Sequence, residues 1–317
     1  MTVALVTGAT GQDGGYLVER LLAEGTEVHG LVRGEDLGGG PVPDGLVVHE
    51  CDLGGPAADV AAVVDRVAPD ELYNLGGVSS VAQSWAEPLL TTTVNGTAAV
   101  VLLEAARSTQ ERTGRPVRVV QAASAEIFGE PEHSPQDERT AIRPVSPYGA
   151  AKALAHHAVG IARARGQHAT SLVLYNHESP RRPPSFVTRK ITSTVAAIAA
   201  GRADRIVLGN LDARRDWGWA PDYVDAMVRA VRHDTPGDYV VATGEAHTVR
   251  DFVAAAFARA GVEDWERLVT VDQALVRPAD PSLLVGDASR AREELGWAPT
   301  VGFAELVARM VDAEEPS

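Results

Sequence analysis

The chain has one cysteine, Cys51, in 317 residues. An internal disulfide framework is therefore excluded, and a reducing cytoplasm is the expected compartment. Basic residues are also short: 29 Lys and Arg stand against 43 Asp and Glu, a formal net charge of -14. The footprint of a general nucleic-acid or anionic-membrane binder is basic, so both partners are set aside. An anionic small molecule held by a few local arginines is not. No apolar run reads as a membrane span, which needs about 20 residues. The opening MTVALVTGATG lacks the basic n-region and cleavage site of a secretory leader. There is no internal repeat, and no metal site is expected. The nearest approach to low complexity is the glycine-rich stretch 34–41, read as a flexible loop.

What is present is ordinary globular composition, 45% hydrophobic and 23% charged, enough for one large domain or a large and a small one. Thr2–Thr7 is a short apolar, β-branched run suited to a buried strand. Gly8, Thr10, Gly11, Gln12, Asp13 and Gly14 follow at once, and Tyr16, Leu17, Leu21 and Leu22 then recur at helical spacing. Strand, glycine turn and helix in that order give a GxxGxxG motif its meaning. Glycine allows the tight turn and the close backbone approach to a pyrophosphate at the helix N-terminus.

Further strands are expected at Glu27–Arg33, Leu46–Glu50, Glu71–Asn74, Val117–Ala122 and Ala169–Tyr175, with helices between them. One long helix is expected over Glu87–Arg107. The alternation predicts an α/β fold, a doubly wound parallel sheet of the Rossmann type, over residues 1–175. Segments from about 209–245 are expected to return to it. Residues 176–317 form mainly a smaller C-terminal α/β substrate-binding lobe. At the end of the second strand an arginine suits the 2′-phosphate of NADP and a carboxylate the ribose hydroxyls of NAD. Arg33 favours NADP; Glu35 and Asp36 just behind it keep NAD open. Asp52, followed by Leu53, reads equally as a contact to the adenine edge or as a helix N-cap. The segments 176–184 and 209–217 read as polar loops. Arg189, Lys190 and Arg215 suit a diphosphate; ion pairs of the arginines with Asp212 and Asp216 are the plainer alternative.

Ser124 and Glu126 lie just past the carboxyl end of the fifth strand, where ligands bind in open α/β sheets. Tyr148 and Lys152 stand one helical turn apart on one face. An ammonium beside a phenol favours the phenolate, making tyrosine a base near neutral pH. Tyr-x-x-x-Lys arises often by chance, and its weight here comes from the dinucleotide motif upstream.

With Thr7-Gly8-x-x-Gly11-x-x-Gly14 and Tyr148-x-x-x-Lys152 the chain resembles the extended short-chain dehydrogenase/reductase family. The segments SAEIFG, NHESPRR, FVTRKI, GNLDARRDWG and RPADPSLLVGD are similar to its nucleotide-sugar 4,6-dehydratases. The resemblance implies catalysis by Ser124, Glu126, Tyr148 and Lys152, with NADP as a cofactor that is regenerated. It also implies that Tyr148 and Lys152 hold the cofactor alongside Gly8, Thr10, Gly11, Gln12, Asp13, Gly14, Arg33, Asp52 and Leu53. A GDP-linked sugar is implied as substrate, met by Ser79, Asn176, Glu178, Val187, Lys190, Arg215 and Arg277. The family commonly carries a second arginine and serines after strand two, in a loop that joins dimers into tetramers. Here Gly34 stands in that place, so a homodimer is the expected assembly, with a tetramer as the alternative. A 4-ketoreductase or epimerase on the same fold is the rival activity, and Glu126 separates the two, because only elimination needs a base for C5.

Overall fold

The computed structural model describes residues 1–34, 42–275 and 281–314. Its first half runs β1 (Val3–Thr7), α1 (Gln12–Ala23), β2 (Glu27–Val32), β3 (Val47–Glu50), α2 (Ala57–Val67) and β4 (Glu71–Asn74). Then come α3 (Val81–Ala86), α4 (Pro88–Thr92), α5 (Ala98–Thr113), β5 (Arg118–Ser124), α6 (Pro147–Ala164) and β6 (Ala169–Leu174). These strands, with β10 (Asp238–Val241) from much later in the chain, form a seven-stranded sheet in the order β10-β6-β5-β4-β1-β2-β3. Every pairing in it is parallel. The chain moves outward from β1 to β3, then crosses back to β4 on the other side. The crevice between the carboxyl ends of β1 and β4 is thus the topological switch point, where open α/β sheets bind ligands.

Parallel strands need cover on both faces, and the helices supply it. On one face Leu17, Val18 and Leu21 of α1 share a core with Met227 and Val228 of α8 (Ala220–Arg232). On the other, Val60 and Val64 of α2 join Leu102 and Ala106 of α5 and Val159 of α6. The register sets Thr7 beside Asn74 and Asn74 beside Gln121. All three side chains are buried, and they bond in a row: Thr7 Oγ1 to Asn74 Oδ1 at 2.7 Å and Asn74 Nδ2 to Gln121 Oε1 at 2.6 Å.

The second lobe is built from β7 (Asn176–Glu178), α7 (Val187–Ala199), β8 (Ile206–Leu208), β9 (Arg214–Trp219), β11 (Ala246–Thr248) and α9 (Val249–Arg259). It is completed by β12 (Val269–Val271), β13 (Leu283–Leu284) and α11 (Phe303–Asp312), with α10 (Ser289–Leu295) packed back toward β10. β9 pairs with β7, β11 and β13, and β8 pairs with β12. Trp217, Phe252, Phe257, Ile191 and Leu306 form its core.

Two stretches read as loops are strands. Asn176–Glu178 and Arg214–Trp219 pair with each other as β7 and β9. Their charges hid the pattern because several of them, Glu178, Arg215 and Asp216, are buried with partners inside the fold. The Arg215 guanidinium donates to the carbonyls of Arg214 and Pro281, and Asp216 accepts from Thr243 and Gly244. The expected helix over Glu87–Arg107 runs further and is not uniform. A π-helical turn, Thr93–Thr97, separates α4 from α5. It turns Asn95 inward, where its side chain accepts from Val78 N and donates to Val78 O, both at 2.8 Å. Against expectation, the continuous stretch Pro88–Thr113 is long and apolar enough to cross a membrane by composition. Half of its apolar window is buried inside the fold, as in a core helix.

Candidate active site

The β1 exit is shaped by Gly8, whose φ is +67°. A Cβ there would lie 2.9 Å from Cα and N of Gly76, just past β4, so the two strand exits approach as glycine alone permits. A Cβ on Gly14 would lie 2.0 Å from the Gly8 carbonyl, so the first turn of α1 sits directly on the loop. Gly11 caps α1 with extended backbone and no side-chain acceptor. The first N–H groups of the helix therefore have no capping side chain and carry the positive end of its dipole. This cradle fits a dinucleotide pyrophosphate. Thr10 and Gly11 are exposed at its mouth, whereas Gln12 is buried. Gln12 Nε2 donates to the His177 carbonyl and to Asp13, and its Oε1 accepts from Ser179.

Beyond β2 and β3, Arg33, Glu50, Asp52, Asp59 and Arg66 line a cavity of about 550 Å³. Leu53 is buried, its side chain against Gly76. Asp52 is not an N-cap: α2 starts later, at Ala57 with Pro56 as its cap, and the Asp52 carboxylate closes a turn by accepting from Gly54 N at 2.8 Å. Glu35, Asp36 and most of the 34–41 loop lie outside the described residues.

The catalytic candidates converge on the exit of β5. Ser124 ends the strand, and its hydroxyl accepts from Glu126 N at 3.3 Å, capping the short turn Ala125–Ile127. α6 docks onto that turn. A Cβ on Gly149 would lie 2.5 Å from the Glu126 carbonyl, so glycine lets the helix start touch the turn's backbone. Ser146 caps α6, and Ser84 of α3 accepts from Tyr148 N at 3.2 Å. Tyr148 is half-buried and shares a hydrogen bond with Ser124. Lys152, buried one turn on, donates to the Ala122 carbonyl at 2.8 Å, with Nζ 5.9 Å from the Tyr148 ring centroid.

Burial is the largest influence on both groups. It pushes the Tyr148 phenol up to about 12, against the pull of the Ser124 hydrogen bond; the Glu126 carboxylate raises it further and the Arg182 guanidinium lowers it. It pushes Lys152 down to about 8, opposed by Asp13. The expected lowering of the tyrosine by Lys152 is therefore corrected. Desolvating the phenolate dominates in the enclosed site, where Lys152 points its ammonium at the Ala122 carbonyl with Nζ 5.9 Å from the ring centroid. The start of α6, which bears Tyr148, packs against the turn that bears Glu126.

The family described as GDP-mannose 4,6 dehydratase matches residues 5–310. "GDP-mannose 4,6 dehydratase 2" of Arabidopsis thaliana is 45% identical, covering 98% of this chain and 86% of the relative. The chain belongs to the GDP-mannose 4,6-dehydratase family. Among solved structures, a Thermus thermophilus UDP-glucose 4-epimerase in complex with NAD superposes with a TM-score of 0.84 at 29% identity, covering 98% of each chain. RMD from Pseudomonas aeruginosa, complexed with NADPH, shares the fold with a TM-score of 0.82 at 22% identity, covering 99% of each.

On the substrate side of this dehydratase-family crevice the candidates have unequal settings. Ser79 is exposed just before α3, Asn176 is half-buried on β7, and Val187 and Lys190 lie on the first turn of α7. Glu178 is fully buried, accepting from Thr188 at 2.6 Å and pairing with Arg182 at 3.1 Å. Arg189 pairs with Glu314, and Arg215 donates to carbonyls; of the two aspartates considered earlier, Asp212 pairs with Arg250, while Asp216 accepts from Thr243 and Gly244. Arg277 lies outside the described residues. Sequence reasoning missed Ser84, Asn95 and His177. Only Asn95-Gly96, an odd pair inside a helical pattern, carried a readable signal.

The lysine shift has a signed consequence. Lys152 is lowered from 10.5 to about 8, so between those values the unfolded chain holds a proton that the folded one has released. Stability from this group rises with pH there. In urea denaturation, wild type gains on the order of 2 kcal/mol relative to Lys152→Met between pH 8 and 10.5. A flat difference refutes the shift.

Proposed function

We propose that this chain is a nucleotide-sugar 4,6-dehydratase acting on a GDP-linked hexose. One observation carries the reading beyond family membership: a half-buried carboxylate, Glu126, two residues past Ser124, sits on the turn against which α6 begins at Pro147 and Tyr148. A ketoreductase or epimerase gives that carboxylate no work.

Gly8, Gly11, Gly14, Arg33, Asp52 and Lys152 would hold the nicotinamide dinucleotide. When bound it supplies the hydride acceptor for C4 and the hydride donor for C6, and ends as it began. In its phenolate form, which the positive charges of Lys152 and of a bound nicotinamide ring would favour against the desolvation, Tyr148 takes the proton of the C4 hydroxyl while Ser124 hydrogen-bonds the same oxygen. The resulting C4 ketone acidifies the neighbouring C5–H. Glu126 takes that C5 proton and passes a proton to the C6 hydroxyl, which leaves as water. Lys152, anchored on the Ala122 carbonyl, keeps its charge near the Tyr148 ring. The proton left on Tyr148 goes to C5 as the hydride reaches C6, which restores the phenolate, and the sum is loss of one water, giving a GDP-4-keto-6-deoxy-hexose. Arg33 supports NADP over NAD.

An outward apolar face supports a homodimer. Leu89 is 84% exposed on α4, and Ile161 is 63% and Leu154 43% exposed on α6. Leu154 and Ile161 are seven residues apart, hence on one helix face, and α4 packs beside α6. Two copies meeting face to face across a two-fold axis bury this surface in an isologous contact. The lone cysteine, Cys51, is free and buried, which suits the proposed cytoplasmic setting.

Three measurements test these points. Glu126→Gln is expected to bind dinucleotide and sugar nucleotide as wild type does, yet lose product by at least about 100-fold. Mass spectrometry for loss of one water from a panel of GDP-, UDP- and dTDP-sugars reads it, and near-native product overturns the assignment. Titration of the apo-protein is expected to give tighter NADP than NAD, with the preference abolished by Arg33→Ala; tighter NAD refutes it. In sedimentation velocity, wild type runs as a dimer and Leu89→Glu/Ile161→Glu as a monomer; a dimer from the double variant rejects this face.

A further inference from the structure

His177 lies between two acceptors. Its Nδ1 is 2.7 Å from the Tyr175 carbonyl, which can only accept, so Nδ1 carries a hydrogen. Its Nε2 is 2.8 Å from Asp13 Oδ2. A neutral ring protonated at Nδ1 would aim its Nε2 lone pair at a carboxylate oxygen. The contact requires a proton between them, giving an imidazolium against a carboxylate. The ring is buried and stacked on Tyr223 of α8, centroids 4.5 Å apart at 21°. The second Asp13 oxygen accepts from Gln12 Nε2 at 3.0 Å.

The position of Asp13 makes this pair matter. It follows Gly11 in the first turn of α1, at the helix end that receives the dinucleotide pyrophosphate. A bare carboxylate there repels a diphosphate and competes for the same dipole. We propose that the His177 imidazolium cancels the charge of Asp13, and that this neutralisation lets the glycine turn accept the dinucleotide. His177 is thus a positioning residue, acting from β7 on a turn more than 160 residues earlier in the chain. The inference rests on the dinucleotide reading of that turn.

The other charged and titratable groups around the pair are accounted for. Arg182, from the loop after β7, lowers both Asp13 and His177. It is itself paired with Glu178, whose carboxylate also accepts from Thr188. Tyr223 is raised far above its ordinary value by burial and stays neutral. Tyr148 and Lys152 both feel the Asp13 charge. For His177, burial lowers the pKa but the Asp13 carboxylate more than offsets it, so the net direction is upward. The imidazolium therefore persists above the ordinary histidine range and is lost as pH rises through the raised value.

The test is calorimetric titration of the purified full chain with NADP and NAD from pH 6.5 to 9.5. His177→Gln is expected to weaken both dinucleotides at least about tenfold at neutral pH. Asp13→Asn/His177→Gln, which removes both charges and keeps hydrogen-bonding groups, is expected to restore affinity to within about threefold of wild type. Wild-type affinity falls more steeply at the alkaline end than that of the double variant, in which only the fall from losing the Lys152 charge remains. A role in packing alone predicts the reverse, with the double variant at least as weak as the single. Wild-type affinity in His177→Gln, or no rescue in the double variant, overturns the proposal. Should His177→Gln fail to fold by circular dichroism, Asp13→Asn alone decides. At pH 9 it binds at least as tightly as wild type if the charge is the obstacle, and tenfold weaker binding rejects it. Wild type that binds neither dinucleotide defeats the underlying reading instead.

Discussion

Three buried amides and hydroxyls hold this molecule's working end in place. Thr7, Asn74 and Gln121 lie side by side across β1, β4 and β5, and each uses its neighbour as a partner. Thr7 Oγ1 also accepts from the backbone N–H groups of Leu75 and Gly76. Gln121 Nε2 reaches the Ala122 carbonyl, the same oxygen that receives Lys152. One continuous chain of hydrogen bonds thereby fixes the exits of the three strands that supply the glycine turn, the Gly76-Gly77 approach and Ser124. A buried polar group without a partner costs about 1–3 kcal/mol, so the arrangement is strongly biased to one register. Neighbouring strands then cannot slip, and the residues on their exits stay within reach of one another.

The second organising influence is desolvation. The same enclosure that brings Ser124, Tyr148 and Lys152 together pushes the phenol up and the ammonium down. Each shift moves a group toward its neutral form. Charges from outside the Tyr-x-x-x-Lys pair therefore matter to its chemistry: Glu126 and Asp13 raise Tyr148, whereas Arg182 lowers it. The Asp13–His177 pair belongs to this balance, since it removes a net negative charge from the centre of the site. A short helical motif reads as two residues, but its electrostatics belong to two lobes.

Glycines work here by what they let approach. Gly8 against Gly76, Gly14 against the Gly8 carbonyl and Gly149 against the Glu126 carbonyl each close a distance that a methyl group would hold open. The first two build the cradle; the third sets α6, and with it Tyr148, onto the turn that bears Glu126. The π-helical turn at Thr93–Thr97 does a related job by turning Asn95 toward the backbone of Val78.

Much of the architecture was legible beforehand, because a doubly wound sheet writes its strands as short apolar runs and its helices at helical spacing. The glycine turn, Ser124 with Glu126, and Tyr148 with Lys152 were legible because each is local in the chain. What could not be read were partners far apart in sequence. Asp13 with His177, Glu178 with Thr188 and Arg182, and Asp216 with Thr243 and Gly244 conceal buried charge that a sequence reading takes for solvated loop. That is why β7 and β9 were missed. The linear sequence determined which residues could perform the chemistry and which strand or turn each one sits on. The tertiary structure alone decided which charges stand unscreened beside them, because burial and pairing depend on what the fold brings together from distant segments.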